Sequence, residues 1–224
     1  MRKTKASQPI KTARREASLW KSPSQREQER SEKRTAVLST AAEMFLERGS
    51  HRVSMNDIAD QLSITKPALY NYFSSKDEIL FECFRQSNRA ISAQLDVIEL
   101  AGGEGLGQLR EFIQSYARSI TVEYGSVMVR LEDRELPDDL RKEVRQYKRG
   151  IDMRVRAMIA RGIKDGSIVA CDIKLTTFAI LGALNWIGQW FRSDGPTDAN
   201  QIGREFAIRL TSGLAAGSPQ RARD

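Results

Sequence analysis

The chain is poor in the residues that build covalent or metal-centred chemistry. Two cysteines, Cys83 and Cys171, and one histidine, His51, occur in 224 residues. The cysteines lie far apart in apolar stretches, which suits reduced core thiols and not a disulfide framework, and one histidine leaves no His/Cys cluster for zinc. No metal or cofactor is expected. No run of about 18 apolar residues occurs, so no membrane-spanning helix is expected. The opening stretch MRKTKASQPIKTARREASLW is basic but leads into no apolar signal core, so a cytoplasmic location is expected. A glycine-rich phosphate loop, a nucleophile elbow and an internal repeat are also lacking. The acids Glu132, Asp133 and Glu135 gather before Pro137 with no histidine near them, and read as turn-capping groups, not as an acid/base pair.

What is present begins with charge. Residues 1–34 carry eleven Lys/Arg against four Glu, a balance of +7 that equals the net charge of the whole chain, so the rest is formally neutral. Such a weakly hydrophobic segment buries too little apolar surface to offset its ordering entropy, and residues 1–30 are expected to be a basic disordered tail. Two roles stay open for it: an arm laid on DNA phosphates or in a minor groove, or a solvated leader. Residues 217–224 are expected to be a second disordered tail.

From Ser31 the pattern turns helical. Val37, Leu38, Ala41, Met44 and Phe45 recur at three- and four-residue steps, and Gly49 supplies a stop, giving a helix over 31–48. Ser54 then caps a two-turn helix with Asp57 at the reciprocal position, and Met55, Ile58, Ala59 and Leu62 on its apolar face. After Ser63-Ile64-Thr65, Thr65 caps a third helix over 66–73 with Pro67 in its first turn, where a missing N–H costs little. Ser75 and Glu78 open a fourth. Two short helices joined by a tight turn and braced by a longer one describe a helix-turn-helix over 31–78. At about 100° per residue, Leu69 and Phe73 face the core, Pro67 and Asn71 lie opposite, and Ala68, Tyr70 and Tyr72 flank them.

The segments AAEMFLERG (41–49) and VSMNDIADQLSITKPALYNYFSSKDEIL (53–80), with the Tyr70-x-x-Phe73-x-x-Lys76 spacing, resemble the TetR family of transcriptional regulators. Two departures are visible: Ser63 stands where the family usually has a turn glycine, and Ser50-His51 replaces the aromatic residue common after Gly49. The resemblance implies that Thr65, Lys66, Pro67 and Ala68 meet base edges in the major groove of double-stranded operator DNA. It also implies that Tyr70, Tyr72 and Lys76, with Ser54 at the head of the second helix, hold phosphates, with Asn71 on the same DNA-facing side.

Residues 79–216 read as a helical effector-binding and dimerisation domain, so the fold class is all-α. Helices are expected over 76–100, 106–122, 126–134, 138–165, 173–192 and 198–214. The stretch LTTFAILGALNWIGQWF (175–191) is apolar on nearly all faces, which implies burial on more than one side, and a second chain is one way to achieve it. The small residues Ala179, Gly182 and Ala183 permit close helix approach, and Ile202, Phe206 and Leu210 of the next helix offer a partner surface. The resemblance implies that these two helices build a homodimer. Asn185, Trp186 and Trp190, with Met128 and Met153, are the candidate ligand contacts, with plain core or dimer packing as the competing use of the tryptophans.

The LGALNWIGQWF and DGPT segments look like a TetR subgroup controlling lipid, sterol or aromatic degradation, some of whose members respond to acyl-CoA thioesters. That likeness implies a ligand-responsive repressor released from a palindromic operator by a small apolar or acyl-CoA effector, with Arg130, Arg154 and Arg156 available to CoA phosphates. Two other classes stay open on the residues alone: a non-specific architectural DNA-binding protein, which the basic tail would suit, and a helical enzyme with an appended DNA-binding domain, for which no polar catalytic constellation is visible.

Overall fold

The structure is a computed structural model that describes residues 22–130 and 135–217. Expectations placed on residues 1–21, 131–134 and 218–224, including Glu132, Asp133 and most of both tails, lie outside the described residues. The elements are α1 (Pro23–Arg48), a 3-10 turn (Ser50–Arg52), α2 (Met55–Gln61), α3 (Lys66–Tyr70), α4 (Lys76–Ala101), α5 (Gly105–Ile120), α6 (Glu123–Arg130), α7 (Asp138–Asp165), α8 (Ile173–Trp190) and α9 (Ala199–Thr211). Among the described residues there is no strand, only one isolated antiparallel bridge between Ile168 and Ala215. None of the described helices is long and apolar enough to cross a membrane.

Helix α1 begins eight residues before the expected Ser31, because Ser22 forms a capping box with Gln25 and Pro23 occupies the first turn. Residues 23–30, expected to be part of a disordered tail, are therefore helical. The buried face of α1 starts only at Val37 and runs through Leu38, Ala41, Ala42, Met44 and Phe45. Gly49 ends the helix at φ +80°, and its N–H still bonds the Phe45 carbonyl. Helix α3 closes at Tyr70, short of the expected residue 73, and Tyr72 and Phe73 both donate back to the Leu69 carbonyl as the chain turns toward α4.

The long α4 joins the two halves: it packs on α1 at one end and on α5, α6 and α7 along its length. One buried apolar cluster runs without a break from Val37 and Phe73 through Phe84, Phe112 and Ile159 to Ala207. Helix α9 packs mainly on α5, where Gly203 lets the backbones approach: a Cβ there would lie 3.0 Å from the Gln114 carbonyl oxygen.

Candidate nucleic-acid interface and effector cavity

The five-residue α3 is too short to hold itself together and is fastened from below. Leu69 and Phe73 are fully buried under it, as the sequence pattern requires. Arg34 of α1 completes the floor: its guanidinium lies 4.0 Å from the Phe73 ring centroid and donates to the Tyr72 carbonyl. Arg34 also reaches Glu78 and the buried Glu82. Sequence reasoning missed this residue, since a lysine/arginine inside a basic run carries no sign of a partner 38 positions away.

On the outer side, Thr65, Lys66 and Pro67 are exposed at the start of α3, with Ala68 half-buried and Asn71 exposed at its end. The Thr65 hydroxyl caps the helix by accepting from the Ala68 N–H, and the Lys66 ammonium sits 6.0 Å from the Tyr70 ring centroid. Tyr70 is 45% exposed and Tyr72 half-buried. Ser54 is exposed at the head of α2, where its hydroxyl and N–H both engage the Asp57 carboxylate. Those two bonds hold the Asp57 carboxyl below its ordinary value. Lys76 is tied inward, donating to the Ser50 carbonyl at 2.9 Å. The turn ahead of α3 contains Ser63 at φ +54°, the one non-glycine residue with positive φ among the described residues, at the position where the family pattern has glycine.

The second half contains a cavity of about 150 Å³ lined by Tyr116, Met128, Val129, Lys148, Ile151, Leu181 and Asn185. Tyr116 is buried, burial pushes its phenol well above the ordinary value, and its hydroxyl donates to Asn185 Oδ1 at 2.8 Å. Asn185 and Lys148 are exposed and mark the mouth. Of the five expected ligand contacts, the structure brings Met128 and Asn185 to this cavity. Trp186, Trp190 and Met153 do not reach it: they are 66%, 45% and 59% exposed, and Met153 lines a separate open groove beside Arg149, Arg156 and Ile173. A four-residue spacing shows that two tryptophans share a face but not which way that face points.

That face is the outer one. On α8, Leu175, Phe178, Ala179, Gly182, Trp186, Gln189 and Trp190 form one exposed stripe, while Thr177, Ile180, Leu184, Ile187 and Gly188 are buried within the chain. Ala179 and Gly182 thus stand on the surface as the dimer expectation requires, with Ala183 half-buried at its edge. Ile202 does not: it is 3% exposed, and Phe206 and Leu210 are half-buried on the same inward face of α9. The apolar side of this amphipathic helix is satisfied by its own α5, leaving Ile208 as its exposed large apolar residue.

The arginines proposed for CoA phosphates are engaged inside the chain. Arg154 pairs with Asp96 and Glu99, Arg156 pairs with Asp152, and Arg130 donates to the Gly188 carbonyl. Helix α6 touches both halves: Met128 and Val129 line the cavity, and the Tyr124 hydroxyl is 3.0 Å from the Ser39 hydroxyl on α1. No group of three or more His, Cys, Asp or Glu among the described residues is arranged to hold a metal ion.

Comparison with known proteins agrees with this fold. The family described as bacterial regulatory proteins, tetR family, matches residues 37–83, and the tetracyclin repressor-like C-terminal domain matches residues 102–214. The HTH-type transcriptional repressor KstR2 of Rhodococcus jostii is 25% identical over 198 residues, covering 84% of this chain and 93% of that protein. Among solved structures, the regulator PfmR of Thermus thermophilus superposes with a TM-score of 0.73 at 30% identity, over 79% of this chain and 97% of PfmR. AibR, solved in complex with isovaleryl coenzyme A and operator DNA, superposes with a TM-score of 0.71 at 23% identity, over 79% of this chain and 97% of AibR.

Proposed function

Since the chain belongs to the TetR family of transcriptional regulators, we propose that it is a cytoplasmic homodimeric repressor that acts by binding and not by catalysis, releasing a palindromic operator when a small acyl-bearing effector enters the α5–α8 cavity. Thr65, Lys66, Pro67 and Ala68 read base edges. Tyr70, Tyr72, Asn71 and Ser54 hold the flanking phosphates, and Lys76 steadies the scaffold through Ser50 while adding positive potential. The exposed stripe on α8 meets its twofold copy, which accounts for a helix that is apolar all round.

The observation that carries the effector part of this reading is α6. A helix of eight residues lines the cavity with Met128 and Val129 and meets α1 through Tyr124 and Ser39. A ligand that displaces the cavity wall thereby changes the seat of the helix that braces α3. Tenfold relief of operator binding needs about 1.4 kcal/mol of difference in the ligand's affinity for the two states.

The size of the cavity selects among effectors. About 150 Å³ is well below the several hundred Å³ of sites that enclose drug-sized ligands, so a short acyl group fits and a sterol nucleus requires the cavity to open further. The apolar wall suits the acyl chain, and the Tyr116–Asn185 pair at the mouth offers a donor to its carbonyl. Likeness to AibR, with its bound isovaleryl coenzyme A, supports the same class. The test is operator binding titrated with short-chain acyl-CoAs, the matching free acids and a C27 sterol. Release by the short acyl-CoAs at the lowest concentration is expected; no release by any of them refutes the effector assignment.

A further inference from the structure

Outside α8, the exposed large apolar side chains among the described residues stand singly, with one exception. Val97 and Leu100 on α4 are 67% and 91% exposed and lie within one helical turn of each other. Ala90 and Ala93 are exposed on the same line, so positions 90, 93, 97 and 100 repeat at the three- and four-residue steps of a helix-pairing seam. Beside the seam an open groove of about 440 Å³ separates α4 from α5, with Ala93, Val97 and Ile98 on its α4 side and Glu111, Gln114 and Arg118 on its α5 side. At 100° per residue, those three α5 residues point within about 40° of directly away from Tyr116, whose hydroxyl meets Asn185 on α8. The groove and α8 therefore lie on opposite flanks of α5, and each is open to a separate contact.

The charges along the groove select the partner. Glu111 and Arg118 are both exposed, lie on one line of α5 about 10 Å apart, and pair with no other described residue. An acid at one end and a base at the other make a pattern complementary to itself reversed. A twofold axis across the groove sets two copies of α5 antiparallel, brings each Glu111 to the partner's Arg118, and closes one apolar seam on the other. At the far edge of the seam, Asp96 and Glu99 are already engaged by Arg154. Size sets the strength of such a contact. The eight residues lining the groove, with Ala90 and Leu100, make ten, against about 20–30 a side in a standard stable interface. The contact is weak between free molecules and gains weight where two molecules are held side by side at an effective concentration on the order of millimolar.

We propose that the α4–α5 groove is a second self-association surface, through which two dimers meet about a twofold axis and occupy neighbouring operators cooperatively. The cooperative part rests on the operator reading above; the pairing of the two groove faces does not.

Sedimentation equilibrium of the full chain from about 1 µM to 1 mM protomer reads the doubling of mass, whatever the starting unit, and doubling toward the millimolar end is expected. Val97→Glu, Glu111→Arg and Arg118→Glu, all at exposed positions, should each keep the circular dichroism and the starting mass and abolish the doubling. The charge-swapped variant E111R/R118E should restore it. On duplexes carrying two operators at stepped spacings, the wild-type chain should fill the second site about tenfold more tightly than the first at the best spacing, and Glu111→Arg should lose that gain. No doubling by the wild-type chain, doubling that survives Val97→Glu and Glu111→Arg, or a charge swap that fails to restore it overturns the inference. A chain that stays at its starting mass yet binds a fatty acid, with binding lost in Val97→Glu, also overturns it, in favour of a lipid site. If operator binding fails while the mass still doubles, the operator reading falls and the groove pairing stands.

Discussion

Ser63→Gly should stabilise the protein. Ser63 sits at φ +54° between α2 and α3, a region that costs an L-residue about 1–2 kcal/mol because its Cβ approaches the following carbonyl. Glycine removes that cost and adds chain entropy to the unfolded state, worth about 0.4–1 kcal/mol against folding. The side chain is exposed, so little packing is lost, and the turn's own bonds, Ser63 N–H to Asp60 and Ile64 N–H to Ala59, both 3.0 Å, need no side chain. The balance is a gain of about 0.5–1 kcal/mol, which for a domain of this size raises Tm by roughly 1–4 °C. Thermal unfolding followed by circular dichroism at one fixed protomer concentration reads it, since dimer stability shifts with concentration. Ser63→Val is the counterpart: a β-branched residue is worse in this region and should lower Tm. A lower Tm for Ser63→Gly, or a Ser63→Val protein as stable as wild type, would refute the claim that this turn is strained by its side chain.

Phe73→Ala empties the floor beneath α3 and should cost about 3–5 kcal/mol, with operator binding lost in gel-shift assays at temperatures where the α4–α9 helices still show their far-ultraviolet signal. Trp186→Glu places a charge in the exposed α8 stripe and should give a folded monomer by sedimentation velocity; a persistent dimer would show that the stripe is not the interface. Tyr116→Phe removes the bond to Asn185, worth about 1 kcal/mol, and should weaken release by acyl-CoA in the operator titration while leaving effector-free operator affinity within twofold. Glu78 titrates below its ordinary value of 4.5: burial opposes its ionised form, but hydrogen bonds from the Ser74 N–H and hydroxyl and the Arg34 charge outweigh it. A depressed carboxylate contributes stability that is present above 4.5 and lost as pH falls through the folded value. Glu78→Gln should therefore lower Tm at pH 7 and show a flatter decline than wild type below pH 4.5.

The DNA-binding half was the more legible one, for a physical reason. Its helices are short, so each must announce itself locally: Ser54 with Asp57, Thr65 with Pro67, and Ser75 with Glu78 are capping signals read within four residues. Two apolar anchors, Leu69 and Phe73, then fix which side of α3 is buried. What stayed hidden were the long-range partners. Arg34 on Phe73, Tyr124 on Ser39 and Tyr116 on Asn185 each join residues 39 to 85 positions apart, and no periodicity encodes such pairs.

The C-terminal half shows a limit of hydropathy of a different kind. An all-round apolar α8 and an amphipathic α9 were both compatible with a two-chain bundle, because a pattern counts faces that need covering without saying what covers them. The structure assigns the covers unequally. Helix α9 turns Ile202, Ala207 and the edge of Phe206 onto α5, so its apolar side is used up inside the chain. Helix α8 buries Ile180, Leu184 and Ile187 inward and still presents Leu175, Phe178, Trp186 and Trp190 outward. An exposed row of this kind, interrupted by Gly182, where an added Cβ would meet nothing within 4 Å, suits close contact with a twofold copy of itself. In the proposed dimer the two exposed tryptophans serve packing between protomers, the use that the sequence left open beside ligand contact. Helix α8 also lines the cavity through Leu181 and Asn185, so the proposed effector site and the proposed dimer face lie on one helix.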